Sequence, residues 1–451
     1  MTPPPARADA PPPIGFGRAL LFWLKLGFIS FGGPAGQIAI MHAELVERRR
    51  WISEKRFLHA LNYCMVLPGP EAQQLATYLG WLMHRSWGGI AAGLLFVLPS
   101  LMLLIGLSWV YVAFGQQPLV AAVFYGIKPA VTAIVLQAGW RLAGRALHSR
   151  ALVGIAAAAF VAMAVLHLPF VLVLALAALA GHMGARRWPA AFQGRAAHAA
   201  SATAPGDNPA PAAWIDDHSP PPAHARFSRG RLLRVLGVCL ALWAAGMGAA
   251  IAIGGLEGTL ARMGWFFTKA ALMTFGGAYA VLPYVYQAAV EHYHWLSGPQ
   301  MIDGLALGET TPGPLIMVVA FVGFLGGWNQ LVLGPDLPFL GGALAAVAVS
   351  FFTFLPSFLF ILAGGPLVES TRGHLGLAGP MTAITAAVVG VIAQLALFFA
   401  GHVLWPDGRG FDGWAAALMV LAAFALIRLK WGVMPVLALS AVAGLGIRML
   451  G

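Results

Sequence analysis

Five apolar runs decide what this chain can become. Residues 88–113, 118–140, 232–253, 341–363 and 377–400 each pass with almost no charge. A helix of about 20 apolar residues spans the hydrocarbon core of a bilayer. Lipid offers backbone amides no partners, so runs of this kind fold as helices whose hydrogen bonds close internally. Two shorter runs, 152–166 and 170–184, read as thin or tilted spans of one hairpin. Only 10% of the 451 residues are charged, against about 25% in a soluble domain. That is too few to cover an aqueous surface. The formal charge of +11 is therefore read as loop charge that sets orientation, and nucleic acid is not expected as a partner. Cys64 and Cys239 have no metal or disulfide spacing, so both read as packing residues. No cleavable leader is expected: residues 1–13 are Pro-rich and lack a basic segment followed by a short apolar one.

The pattern breaks once, over 184–230, which is rich in Ala, Pro, Asp, His and Arg and reads as a disordered linker. On either side the sequence repeats. Phe22 and Lys25 match Phe266 and Lys269, and Phe31-Gly-Gly33 matches Phe275-Gly-Gly277. Glu47, Trp51 and Ser53 match Glu291, Trp295 and Ser297, and Pro68-Gly-Pro70 matches Pro312-Gly-Pro314. The spacing is 244 positions throughout (Phe31 to Phe275), without a gap. Further on, Leu98-Pro-Ser100 matches Leu355-Pro-Ser357 and Thr132-Ala-Ile134 matches Thr382-Ala-Ile384. The expected organisation is a disordered tail 1–13, a first repeat 14–184, a cytoplasmic linker 185–230, an extra membrane helix 231–254 and a second repeat 255–451.

Charge sets the relative orientation of the halves. Segment 45–56 holds Arg48, Arg49, Arg50, Lys55 and Arg56, whereas its counterpart 289–300 has no Lys or Arg. Arg141, Arg145 and Arg150 lie in one loop whose counterpart, 401–412, has one Arg and two Asp. Basic loops stay cytoplasmic, so the halves are expected to face opposite ways, and the unpaired span 232–253 supplies the extra crossing. Stretches 14–43 and 57–83 then begin and end on one side. They must dip in and return, broken at Phe31-Gly-Gly-Pro34 and Pro68-Gly-Pro70. The predicted fold is an all-α polytopic membrane protein of two inverted-topology repeats with broken, re-entrant helices: nine full spans and four re-entrant hairpins.

Non-helical backbone inside a membrane is tolerated where it is buried or lines a wet cavity. Gly32, Gly33, Gly69, Gly276, Gly277 and Gly313 permit the breaks. The residues after them, 35–37, 71–73, 278–280 and 315–317, would start half-helices whose free N–H groups and positive dipole ends favour an anion. Gly36, Gln37 and Gln73 lie in those starts. Lys25 and Lys269, at equivalent positions, would add cationic lining. Glu71 and Glu309 sit in apolar surroundings as candidate proton carriers or capped carboxylates. His42, His59 and Asp303 are weaker candidates. No metal or other cofactor is expected: Glu291-His-Tyr-His294 lacks helical ligand spacing. The absence of a G-x-x-x-x-G-K-[ST] loop argues against direct ATP drive.

Phe31-Gly-Gly-Pro34, Trp51-Ile-Ser53 and Leu67-Pro-Gly-Pro70 with Gln73, duplicated as Phe275-Gly-Gly277, Trp295-Leu-Ser297 and Thr311-Pro-Gly-Pro314, resemble the chromate ion transporter family in its long, two-domain branch. The resemblance implies a bacterial inner-membrane protein that confers chromate resistance by secondary efflux, with chromate or a sulfate-like oxyanion as substrate. Ala278 stands where the first half has Pro34, and Leu315 where it has Glu71, so the halves are not expected to hold the anion equally. Sulfate or another anion is the alternative cargo. An intramembrane enzyme acting on a lipid-linked anion is the alternative class, and no nucleophile–base pair favours it. Membrane lipid is the other expected partner, and pairing of two copies stays open.

Overall fold

The computed structural model describes residues 11–31, 33–115, 117–192, 213–216, 223–225, 227–274, 277–370, 378–406 and 410–450. Its elements repeat in order. The first half has α1 (Phe16–Ile29), α2 (Gly33–His42), α3 (Glu54–Val66), α4 (Glu71–Phe114), α5 (Pro118–Ala146), α6 (Arg150–Ala164) and α7 (Phe170–Arg187). A single helix, α8 (Arg229–Gly254), follows. The second half has α9 (Thr259–Leu272), α10 (Ala278–Tyr286), α11 (Gly298–Thr310), α12 (Val318–Asn329), α13 (Pro338–Ser370), α14 (Ala378–Leu404), α15 (Gly413–Ile427) and α16 (Val433–Leu450).

The half-helices are short for a physical reason. α1, α2, α3, α9, α10, α11 and α12 have 9 to 14 residues. At 1.5 Å per residue, 14 residues reach about 21 Å, short of a hydrocarbon core of about 30 Å. The first turn of each return arm is forced by glycine. Gly33, Gly69, Gly277 and Gly313 have φ of 69°, 127°, 94° and 105°, values that side chains with a Cβ rarely adopt. Fine detail is duplicated too. α2 and α10 both continue as a π-helical turn, Ala43–Arg48 and Gln287–His292. Each turn precedes a left-handed residue, Arg50 at φ 51° and His294 at φ 52°. Ser53 and Ser297 then cap α3 and α11 by accepting from Arg56 N and Gln300 N.

α4 is two arms in one. His84 and Arg85 leave helical geometry, with Arg85 at φ 58° and ψ −157°. The chain reverses there, and Gly80 and Gly88 bring the arms together: a Cβ on either would strike the other's carbonyl oxygen. Among the described residues, six helices are long and apolar enough to cross a membrane. They include the outgoing arm of α4, and α5, α7, α8, α13 and α14. The remaining three of the nine expected spans, Arg150–Ala164, Gly413–Ile427 and Val433–Met449, are shorter apolar helices.

The halves interlock. α5 of the first half packs on α15 and α16 of the second, and α14 of the second packs on α6 and α7 of the first. Small residues allow the approach. Gly126 meets Ser440 and Gly444, Gly390 meets Ala156, and Gly181 meets Gly379. α8 lies outside, on α9 and α13, with Gly246 against Phe351 and Phe352.

One expectation needs correction. The stretch 185–230 is not a free tether throughout. α7 runs on to Arg187, and Pro189–Phe192 adds a helical turn. Ile215 pairs with Ile52 in an isolated parallel β-bridge. Trp214 N donates to Arg50 O at 3.0 Å, and Ser53 N donates to Ile215 O at 3.0 Å. The His224 ring nitrogen lies 2.9 Å from Trp81 O. Burying Ile215 while completing the hydrogen bonds of the turn at Arg50–Ser53 outweighs the polar composition around it. Residues 193–212 and 217–222, with His198 and His218, lie outside the described residues, as do 1–10.

The inverted arrangement predicts a labelling result. Cysteines placed at Lys55 and Pro299, an equivalent pair that leaves both serine caps intact, should react with membrane-impermeant thiol reagent from opposite faces of the membrane. Labelling from one face alone would refute inversion. Cys64 and Cys239 are buried and give a low background.

Candidate oxyanion site at the crossing of the broken helices

The four breaks meet in two crossed pairs. Gly69 N donates to Thr274 O at 2.8 Å, and Gly313 N donates to Ser30 O at 2.8 Å. Thr274 and Ser30 are repeat-equivalent, as are Gly69 and Gly313, so one hydrogen bond is made twice, each time between halves. The Leu-Pro-Ser serines join in the same crossed fashion. A Cβ on Gly69 would sit 2.6 Å from Ser357 Oγ, and one on Gly313 would sit 2.7 Å from Ser100 Cβ. Each Pro-Gly-Pro break is therefore walled by a serine from the opposite half.

The side chains there are buried and incompletely satisfied. Ser30, Gln37, Gln73 and Gln74 are 0% exposed, and Ser100 and Ser357 are 1% exposed. The Gln37 amide donates to Gly313 O, and more weakly to Ser30 O at 3.4 Å. The Gln74 amide donates to Pro68 O at 2.7 Å, and that of Gln73 to Thr77 Oγ1 at 3.0 Å. Among the described residues this leaves Ser30 Oγ, Ser100 Oγ, Ser357 Oγ and the Oε1 atoms of Gln37, Gln73 and Gln74 with no hydrogen-bond partner. Native interiors pair nearly all such atoms, and exceptions point to an unfilled role. Three hydroxyls can donate to an anion. Three amide oxygens can accept from water or from a proton carried by the solute.

Carboxylates flank the crossing. Glu309 is 8% exposed and accepts from Tyr279 Oη at 2.5 Å. Glu71 is half-buried at the start of α4 and feels the charge of Arg145. Arg141 acts in the same way on Tyr279.

Of the residues expected from sequence, Gln37, Gly69 and Gly313 lie at the crossing, Gly33 and Gly277 form the breaks, and Gln73 immediately precedes Gln74 in the first turn of α4. Gly36 lies in α2, where a Cβ would meet Phe31 O at 2.9 Å. Gly32 and Gly276 lie outside the described residues. The lysines are a correction. Lys25 is exposed on α1 in a stripe with Leu21 and Phe28, which are 70% and 52% exposed. The equivalent stripe on α9 has Trp265 and Leu272 at 53% and 44%, and Lys269 Nζ lies 5.9 Å from the Trp265 ring centroid. What the duplication preserved is an outward face from which lysine snorkels. Ser30, Ser100 and Ser357 were missed, although the repeated Leu-Pro-Ser triplet was visible. His42 lies between Glu47 and Glu54 at 3.1 and 2.5 Å, away from the breaks. No cluster able to hold a metal occurs among the described residues.

The chromate transporter family profile matches residues 18–182 and 261–445, most of both repeats. The chain belongs to the chromate transporter family. This transporter is 30% identical over 411 residues to a chromate transport protein of Cupriavidus metallidurans, covering 91% of the chain and 87% of that relative. It is 33% identical over 387 residues to one from Pseudomonas aeruginosa, covering 85% and 80%. An uncharacterized transporter of Methanocaldococcus jannaschii is 22% identical over 94% of the chain and 92% of its own length. No solved structure matches the transporter. The family and the apolar helices make it a multi-pass bacterial membrane protein with a role in chromate transport.

Proposed function

We propose that this transporter exports chromate, or a closely related tetrahedral oxyanion, from the cytoplasm by a secondary mechanism and so confers resistance, with the anion held where the four broken helices cross. The observation that carries this reading is the set of serine hydroxyls and glutamine amide oxygens without partners among the described residues, around the crossed Gly69–Thr274 and Gly313–Ser30 hydrogen bonds. A tetrahedral oxyanion presents acceptor oxygens in several directions, and the Ser30, Ser100 and Ser357 hydroxyls approach from both halves. The half-helix starts at Gly33, Glu71, Ala278 and Leu315 add positive dipole ends, the arrangement other broken-helix transporters use for anionic groups. Tyr279 and Glu309 would bound the site on one side.

Energetics favour export. Each charge crossing the membrane is worth about 2.3 kcal/mol per 100 mV, so a dianion leaving a negative interior gains about twice that. Sulfate shares the geometry and charge of chromate, and the polar groups of the crossing give no ground to separate them. The names of the bacterial relatives favour chromate.

Flux in proteoliposomes tests the proposal. Wild-type protein should move chromate, with sulfate as competitor. Ser100→Ala and Ser357→Ala should each raise the half-saturating concentration about ten- to hundredfold, the loss of one hydrogen bond to a charged group, worth about 1.5–3 kcal/mol. Alanine at either position fits the space, so a normal flux in both variants would place the anion elsewhere.

A further inference from the structure

A second polar cluster lies away from the crossing. Lys128 of α5 stands with its Nζ 3.3 Å from Asp303 Oδ2 of α11. Tyr111 of α4 donates its Oη hydrogen to the same oxygen at 2.8 Å. The Asp303 side chain is 5% exposed and that of Lys128 30%. Asp303 Oδ1 has no hydrogen-bond partner among the described residues. The ion pair joins a full-length helix of the first half to a re-entrant half-helix of the second, two turns from the break that follows Thr310. α11 also packs on α12, α14 and α16. The charged and titratable groups that face Asp303 are Lys128 and Tyr111. His402 of α14 and Arg448 of α16 face other groups: His402 stacks on Phe398, and Arg448 lies over Tyr125.

We infer that Lys128 is a second oxyanion subsite on the path to the crossing, and that the Asp303 carboxylate occupies it as a placeholder the travelling anion displaces. The inference rests on the reading of the protein as an oxyanion transporter. Three features carry it. The lysine is the partly accessible member of the pair, so an anion can reach it. Its partner is held by one oxygen only, so little geometry is lost on release. The pair bridges a fixed helix and a hairpin arm, so exchanging its anion frees the arm. Asp303 is the repeat-equivalent of His59 and Lys128 that of Ala378, so the subsite exists on one side of the crossing only. A carboxylate left buried without its cation is strongly disfavoured. On displacement it takes one proton from solvent at the free Oδ1, becoming a neutral carboxylic acid. Binding of the anion and uptake of that proton are thus one event.

Chromate binding to the purified full-length transporter, measured above neutral pH where chromate stays a dianion, tests this. Wild-type affinity should fall as pH rises, by up to about tenfold per pH unit when one proton is taken up. Asp303→Asn leaves Lys128 free and should bind at least as tightly, with no pH slope. Lys128→Gln should lose this second, pH-dependent binding component and retain only binding at the crossing. The double variant Lys128→Gln/Asp303→Asn leaves no unpaired charge, so it guards against misfolding, and should behave like Lys128→Gln. An unchanged pH slope in Asp303→Asn, or wild-type affinity in the double variant, would overturn the inference while leaving the transporter reading intact. Absence of chromate binding and flux in the wild type would overturn both.

Discussion

Gly69→Ala and Gly313→Ala should each abolish chromate flux while leaving the protein inserted in the membrane. Both glycines have φ beyond 100°, where a Cβ costs about 1–3 kcal/mol in backbone strain. The new methyl group would also meet the opposite half. At Gly69 it would crowd the Gln74 amide nitrogen and Ser357 Oγ at 2.6 Å, and at Gly313 Ser100 Cβ at 2.7 Å. Relieving that contact means separating the breaks, which breaks the Gly69–Thr274 or Gly313–Ser30 hydrogen bond. A displacement of this kind in a preorganised site is worth about 10²-fold or more. Flux above a tenth of wild type in either variant, at equal insertion, would show that the crossing is not the transport site. Gly277→Ala offers an internal comparison, because it has positive φ but nothing within 4 Å of the added Cβ. It should lose less.

The second large effect concerns assembly. Gly126→Leu should eliminate folded transporter. The Cα of Gly126 faces the backbone of α16 directly: an added Cβ would overlap Ser440 O and lie 2.8 Å from Gly444 Cα and N. No rotamer change relieves a clash with main chain. Small residues at such contacts are what let helices associate in lipid, where no hydrophobic force draws them together. Forcing the helices apart would also strip α5 of its packing on α15, and with it the seam between the halves. The check is a thermal stability trace on detergent-solubilised protein. A monodisperse variant with the wild-type transition would show that α5 and α16 do not need to touch.

Much of this architecture was legible because membrane folding leaves few options. Long uncharged runs must be helices, and a fixed repeat spacing must produce the same elements twice. The Gly-Gly and Pro-Gly-Pro breaks stood out because glycine and proline inside apolar surroundings need a reason. Partner choice was much less visible. The Leu-Pro-Ser repeat marks Ser100 and Ser357 as equivalent, but sequence alone does not say that each faces the other half's break. Lys25 and Lys269 misled for the opposite reason. Duplication preserves every feature of a repeat, including the face that touches lipid, so equivalence marks shared structure and not shared function. Only the stripe of Leu21, Lys25 and Phe28, seen beside the buried Ala19, Phe22, Trp23 and Leu26, tells the two apart. The docking of Trp214 and Ile215 was hidden by their neighbours, whose composition is that of an unstructured segment.

The crossed hydrogen bonds have a meaning for how such a chain can be divided. Each half carries one donor, Gly69 or Gly313, and one acceptor, Ser30 or Thr274, and each donor bonds the other half's acceptor. Severed between residues 193 and 212, the transporter would yield two fragments, each carrying the donor that the other's acceptor takes. Coexpressed, they should find one another as subunits of a heterodimer, with no covalent link required at the centre.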